Sequence, residues 1–321
     1  MAIVWITGAR GFLGRHVARR FAAAGWDVAG IGIGSAFDVQ ISELPFVQIA
    51  GKPAWIERMI DEASLAELLS LTGPPAAVFH AAGSGAVAPS LADPYRDFRL
   101  SVDSTALMLD ALRRSAPNAA FVLPSSSAVY GNTQVAGPIE EDTPLSPVSP
   151  YGAHKLCAEW LCRSISHSFG LKTAVIRFFS IYGPGLRKQL LWDVAGKISR
   201  AVDEFTLFGT GNETRDMLYI EDAAELSYLA TQRATSQSLV LNGGTGVASS
   251  VQTIASELAN AFGSRCQVRF NGDVRAGDPG HLQASTKRAW ELGFRPRWSV
   301  SDGIEAYAAW WQNCARADVG T

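Results

Sequence analysis

The sequence is short of several things that would commit it to particular tasks. It carries only four cysteines in 321 residues (Cys157, Cys162, Cys266 and Cys314), at spacings that match neither a metal site nor a Cys-x-x-Cys redox pair. Free thiols in a reducing, cytoplasmic setting are the expectation. Net charge is also scarce: 28 Lys and Arg stand against 30 Asp and Glu, a balance of −2. A duplex-binding surface needs a basic surplus, so nucleic acid is not expected as a partner. No run approaches the roughly 20 apolar residues of a membrane span. The opening Met1-Ala2-Ile3-Val4-Trp5-Ile6 meets Thr7-Gly8 too early for a signal peptide and has no basic flank. A membrane partner is therefore not expected. Charged residues amount to only 18% and apolar ones to 47%, enough to bury a large interior.

Glycine is plentiful, with 30 residues, and its placement carries most of the information. Over the first half, short apolar runs alternate with stretches of helical period. Residues 3–6, 28–33, 77–80, 120–123 and 173–176 read as strands, and residues 13–24, 97–114 and 151–169 as helices. Such alternation implies an α/β fold, a Rossmann-type doubly wound parallel sheet. From about Ser180 the chain breaks into glycine-punctuated pieces, with helices near 250–262 and 301–312. The expected division is a dinucleotide-binding domain over residues 1–179 and a smaller C-terminal α/β substrate-binding lobe over 180–321, with segments able to return to the first domain.

Gly8, Gly11 and Gly14 are spaced three apart, directly after the first strand and at the start of a helix. A chain that must turn tightly, let a pyrophosphate approach and pack helix on strand needs glycine there, and the helix N-terminus then offers N–H donors to phosphate. The expected cofactor is a nicotinamide dinucleotide, NAD or NADP, held by Gly8, Arg10, Gly11, Phe12, Leu13 and Gly14. An acidic residue closing the second strand would bond the ribose 2′-hydroxyl and select NAD. Gly32 stands there instead, with Arg10 and Ser35 nearby to face a 2′-phosphate, so the balance tips to NADP.

Tyr151 and Lys155 lie at i and i+4, on one face of a helix. An ammonium beside a phenol favours the phenolate and makes the Tyr a usable base. Ser125-Ser126-Ser127 close a strand upstream, at the edge where ligands sit in open α/β sheets.

These segments together resemble the extended short-chain dehydrogenase/reductases of the NAD-dependent epimerase/dehydratase family, which act on nucleotide sugars. The resemblance runs through Thr7-Gly8-x-x-Gly11-x-x-Gly14, His80-Ala81-Ala82-Gly83, Ser125 to Gly131, Ser149-Pro150-Tyr151-Gly152-x-x-Lys155, Arg177 to Gly185, and Arg215-Asp216-Met217-Leu218-Tyr219-Ile220-x-Asp222. It implies Tyr151 as acid/base, Lys155 as holder of the nicotinamide ribose, and Ser126 as the catalytic hydroxyl. Ala81, Ala82, Gly83 and Phe178 would line the cofactor. Ser127, Ser180, Arg187, Arg215, Arg275 and Asp278 would hold a nucleotide-diphosphate sugar. A homodimer is implied, with Leu107, Met108, Leu109 and Leu112 as a candidate seam.

Three departures narrow or alter the expectation. Dehydratases and decarboxylases of the family carry carboxylates just after the catalytic hydroxyl, whereas Ser126 is followed by Ser127-Ala128, which leaves hydride chemistry alone. Ser180 stands where the family has Asn, and Asp103 where related helices often have Asn. The expected function is a UDP-sugar 4-epimerase. The alternatives are an NADPH-dependent reductase of 4-keto-6-deoxy sugar nucleotides and, from another class, a catalytically idle nucleotide-binding module.

Overall fold

The computed structural model describes residues 1–34, 40–133, 137–200, 203–273 and 280–319, with side chains to residue 314. Seven strands pair in parallel as one sheet: β1 (Ile3–Thr7), β2 (Asp27–Ile31), β5 (Trp55–Ile56), β6 (Ala77–His80), β7 (Ala120–Ser126), β8 (Lys172–Phe178) and β12 (Leu239–Gly243). Their order is β12-β8-β7-β6-β1-β2-β5. The strand direction of travel reverses between β1 and β6, which opens a crevice at the carboxyl ends of these two strands. The strands are apolar on both faces because both faces are covered. On one side α1 (Phe12–Ala23) and α8 (Ile220–Gln232) bury Val17, Phe21 and Leu226. On the other, α2 (Glu62–Thr72), α5 (Ser104–Ser115) and α6 (Pro150–Phe169) bury Leu68, Met108, Leu109, Leu112 and Cys162. Met108, Leu109 and Leu112 thus pack within the chain itself, so they are not the seam between subunits that the sequence suggests.

A smaller layer lies beyond the carboxyl edge. β9 (Ser180–Tyr182), β11 (Thr214–Tyr219) and β13 (Ala248–Ser250) form a second sheet, and β10 (Glu204–Leu207) pairs with β14 (Gln267–Phe270). These strands pack on α7 (Gln189–Ile198), α9 (Val251–Ala261) and α11 (Val300–Val319). A hairpin of β3 (Gln48–Ile49) and β4 (Lys52–Pro53) and the short helices α3 (Val87–Ala92), α4 (Pro94–Phe98) and α10 (Lys287–Glu291) complete the described residues, among which no helix is long and apolar enough to cross a membrane. Past residue 180 the chain returns three times to the large sheet, through α8, through β12 and through α10, whose Ala289 is buried with Phe294 against it.

The helix expected over 97–114 is interrupted. α4 gives way to a π-helical turn, Arg99–Asp103, before α5 begins. Ser104 Oγ donates to the Leu100 carbonyl (2.6 Å) and Thr105 Oγ1 to that of Ser101 (2.6 Å), hydroxyls competing for the carbonyls of the preceding turn. Likewise β2 ends at Ile31 rather than residue 33, with Gly32 N–H making a last bond to the Ile56 carbonyl (3.1 Å).

A buried polar cluster ties the sheet to α6 beneath the crevice. Arg177 on β8 and Glu159 on α6 are 5% and 6% exposed, and their fork-to-fork pair spans 2.8–3.2 Å. The Ser125 hydroxyl donates to the same carboxylate in a short bond. Arg177 also donates to the Tyr130 hydroxyl (3.0 Å) and the Glu141 carbonyl (2.8 Å), and Tyr130 donates to Asn242 Oδ1 on β12 (2.7 Å). Removing one partner leaves a desolvated charge. Arg177→Ala is expected to cost about 3–5 kcal/mol in urea denaturation; a loss below about 1 kcal/mol would mean the pair holds little together.

Candidate active site

The turn after β1 is shaped by close approach. Gly8 adopts φ +63°, and a Cβ there would sit 2.9 Å from the Ala82 nitrogen. A Cβ on Gly14 would meet the Gly8 carbonyl oxygen at 2.3 Å. Gly11 caps α1 with no side-chain acceptor and no acid in the first turn, so the N–H groups of Phe12, Leu13 and Gly14 lead the helix toward the crevice. This is a cradle for a pyrophosphate, and the residues present fit a dinucleotide. Ala81, Ala82 and Gly83 form the facing wall. Ala82 N–H donates to Thr7 Oγ1 (2.9 Å), Thr7 pairs with His80 Nδ1 (3.1 Å), and His80 Nε2 meets Ser104 Oγ (3.2 Å). Because Ser104 gives its proton to the Leu100 carbonyl, Nε2 is the protonated nitrogen of a neutral ring. Burial, with Lys155 nearby, pushes His80 down to about 3.

Ser126 ends β7 beside the start of α6, which Ser149 caps by accepting from Gly152 N–H (3.2 Å) with Pro150 in the first turn. A Cβ on Gly152 would stand 2.6 Å from the Ala128 carbonyl oxygen, so this glycine lets α6 close on the serine loop. This brings the Ser126 hydroxyl near enough to Tyr151 to lower the titration of the phenol. Lys155 lies one turn on, its Nζ 5.9 Å from the Tyr151 ring centre and donating to the Pro124 carbonyl (3.0 Å). Burial draws Lys155 down to about 8, against the opposing charges of Asp97 and Glu159, while Lys188 adds to the fall. Tyr151 is instead raised, by burial first; the Ser126 hydroxyl lowers it and Asp97 raises it. In the protein itself, then, the phenol is a proton donor at rest, and the ammonium does not dominate it as the i, i+4 spacing suggests.

Asp97 is the group that sequence reasoning passed over. It is buried on α4, and Oδ2 accepts from His154 Nδ1 at 2.6 Å, while Oδ1 has no hydrogen-bond partner. The only sequence signal was His154, a titratable residue between Tyr151 and Lys155. Asp97 is the largest charge supporting the Lys155 proton, so Asp97→Asn should move Lys155 below its value of about 8. Lys155 is depressed from 10.5 on folding, so the unfolded chain holds a proton the native state lacks between about 8 and 10.5, and this group adds stability as pH rises through that window. Titration of the Lys155 Nζ resonance by NMR checks both, and an unmoved midpoint in Asp97→Asn would rule out Asp97 as its counter-charge.

The remaining expected residues divide. Ser127 is buried beside Ser126, and Ser180 opens β9 with partial exposure. Phe178 is 4% exposed and its ring packs on Gly243, inside the core beneath the edge rather than in the open crevice. Arg187 lies over the Trp192 and Trp310 rings, toward α7 and α11. Its neighbour Lys188 is the one that crosses the crevice, donating to the Gly85 carbonyl at 3.1 Å. Arg215 on β11 bonds the Thr214 carbonyl (2.9 Å), and the adjacent Asp216 is buried, accepting from Thr245, Gly246 and Ala284 N–H to fasten the Gly243–Gly246 turn. Arg10 pairs with Glu57 at 2.6 Å. Ser35, Arg275 and Asp278 lie outside the described residues.

A UDP-glucose 4-epimerase of Azospirillum brasilense is 30% identical to the chain over 339 residues, covering 99% of it and 94% of that protein. A solved UDP-glucose 4-epimerase of Thermus thermophilus in complex with NAD is 25% identical with a TM-score of 0.82, covering 97% of this chain and 99% of that one. The fold is also that of a Thermotoga maritima UDP-glucose 4-epimerase solved with UDP-glucose, 24% identical, TM-score 0.87, covering 98% and 100%. The model of the NAD dependent epimerase/dehydratase family matches residues 4–242, and the chain belongs to that family, among its nucleotide-sugar epimerases of the extended short-chain dehydrogenase/reductase type.

Proposed function

We propose that the protein is a UDP-sugar 4-epimerase that works by transient oxidation at C4. The observation that carries this reading is the Ser126–Tyr151–Lys155 arrangement at the mouth of a pyrophosphate cradle. A nicotinamide dinucleotide, when bound, supplies the hydride acceptor and donor and, in its oxidised form, a positive charge. Once the positive charge of the occupied site draws its titration down, Tyr151 would release its resting proton to solvent, and its Oη would then take the proton of the C4 hydroxyl and later return it. Ser126, whose hydroxyl acts on that phenol, steadies the reacting oxygen. Lys155 fixes the floor through the Pro124 carbonyl and offers its other N–H donors to the ribose. Arg215, and with it Arg275, would hold the nucleotide diphosphate, since a guanidinium fork matches phosphate oxygens, and Asp278 would bond the nucleotide ribose.

Dehydration and decarboxylation are outside this proposal, because Ser127 and Ala128 follow Ser126 and neither can act as acid or base for loss of water or CO2. Epimerisation needs the keto sugar to turn over between the two hydride transfers, and the smaller layer around β9 and β11 is the part that would accommodate both faces. A homodimer belongs to the same proposal, and exposed Tyr95, Phe98 and Trp160 on α4 and α6 provide apolar surface for it.

Purified protein should interconvert UDP-glucose and UDP-galactose with no net consumption of added cofactor, followed by chromatography of the sugar nucleotides. Tyr151→Phe should lower turnover by about 10²–10⁴-fold and keep the bound dinucleotide. Stoichiometric oxidation of NADPH with a keto sugar, or full activity in Tyr151→Phe, would overturn the reading.

A further inference from the structure

The carboxylate missing after β2 has a counterpart on the neighbouring strand. β2 and β5 run parallel with Gly30 opposite Trp55 and Ile31 opposite Ile56, and Gly32 N–H donates to the Ile56 carbonyl (3.1 Å). Continuing the register sets Glu57 beside Gly32, at the carboxyl edge of the sheet. Gly32 itself has no room for an acid: a Cβ there would come within 3.2 Å of both the Gly8 nitrogen and the Trp55 ring. The Gly8 nitrogen cannot give way, because it donates to the Ile31 carbonyl (3.0 Å) and anchors the pyrophosphate turn. From Glu57 the side chain reaches Arg10 in that turn, Oε1 to Nη1 2.6 Å. The Arg10 guanidinium lies across Gly34, where a Cβ would fall 1.9 Å from Nη1. Gly32 and Gly34 thus clear a shelf over which Arg10 and Glu57 meet, at the end of β2 where the adenosine ribose of a dinucleotide lies in a sheet of this kind.

We propose that the Arg10–Glu57 pair is the cofactor-selecting element and that it selects NAD. The inference rests on the dinucleotide-binding reading above and deepens it. A ribose with both hydroxyls is neutral and both donates and accepts, so it fits a joined carboxylate and guanidinium without separating them. A 2′-phosphate brings about two negative charges to a pair whose own charge sums to zero. It must either face Glu57 or pull Arg10 away from it, and each costs affinity. This reverses the NADP preference expected from Gly32, Arg10 and Ser35, because that expectation left Arg10 without its acidic partner. The Glu57 side chain is 53% exposed, so screening by water and salt limits the effect to roughly tenfold.

The test is a competition. Wild-type protein and Glu57→Gln are incubated with equal NAD and NADP, dialysed, and the retained nucleotides released and quantified. Wild type should retain mostly NAD, and Glu57→Gln should shift the NADP:NAD ratio upward by about tenfold, a shift that shrinks at high ionic strength. An unchanged ratio, or one that moves toward NAD, would overturn the assignment of Glu57, since the latter result means Glu57 holds Arg10 ready for a phosphate. Retention of neither nucleotide by wild type would instead overturn the dinucleotide reading itself.

Discussion

The arrangement of the site depends on one buried ion pair. Arg177 and Glu159 join the end of β8 to the middle of α6, where both side chains are buried from solvent. Glu159 lies one helical turn beyond Lys155, and its carboxylate also receives the Ser125 hydroxyl next to Ser126. One salt bridge therefore sets the distance between the helix that carries Tyr151 and the strand that carries Ser126. Such a pair gains little over a well-packed apolar substitute, so its value lies in specificity of position. Arg177 donates further to Tyr130 and to the Glu141 carbonyl, and through Tyr130 and Asn242 the constraint extends to β12. A network so connected is rigid, and the proposed movement of a proton and a hydride over short distances needs that rigidity.

Above this frame the electrostatics are poised. Lys155 is drawn down by burial and held up by Asp97, and Tyr151 is drawn up by burial and by the same Asp97. A single carboxylate thus favours the proton on both groups. His80, on the other side of the crevice, is held neutral and adds no further charge. The site rests with its protons in place, and positive charge brought by a cofactor acts on Tyr151 from this protonated starting point.

Much of this was legible in the sequence because it rests on local rules. Three glycines at spacing three after a strand have few uses, and their close contacts with Ala82 and with each other bear that out. Alternating apolar runs and helical periods gave the parallel sheet because strands buried on both faces are apolar throughout. What escaped was non-local. β5 is two residues long, too short for any periodic signal, so Glu57 at its end went unnoticed and Arg10 was assigned without it. Asp97 looked like an ordinary polar helix residue because its meeting with His154 spans 57 positions, and the π-helical turn beside it leaves no mark in hydrophobic pattern. Arg187 and Lys188 are adjacent and chemically alike, and only the tryptophans of α7 and α11 decide which of them turns toward the crevice.

The central claim is that the hydrogen at C4 leaves the sugar as hydride and comes back from the protein-bound cofactor without meeting water. UDP-glucose deuterated at C4, converted in ordinary water and read by NMR or mass spectrometry, tests this directly. The account predicts that the UDP-galactose formed keeps its deuterium at C4. Loss of the label to solvent would mean that a proton rather than a hydride leaves C4, and the account would be wrong.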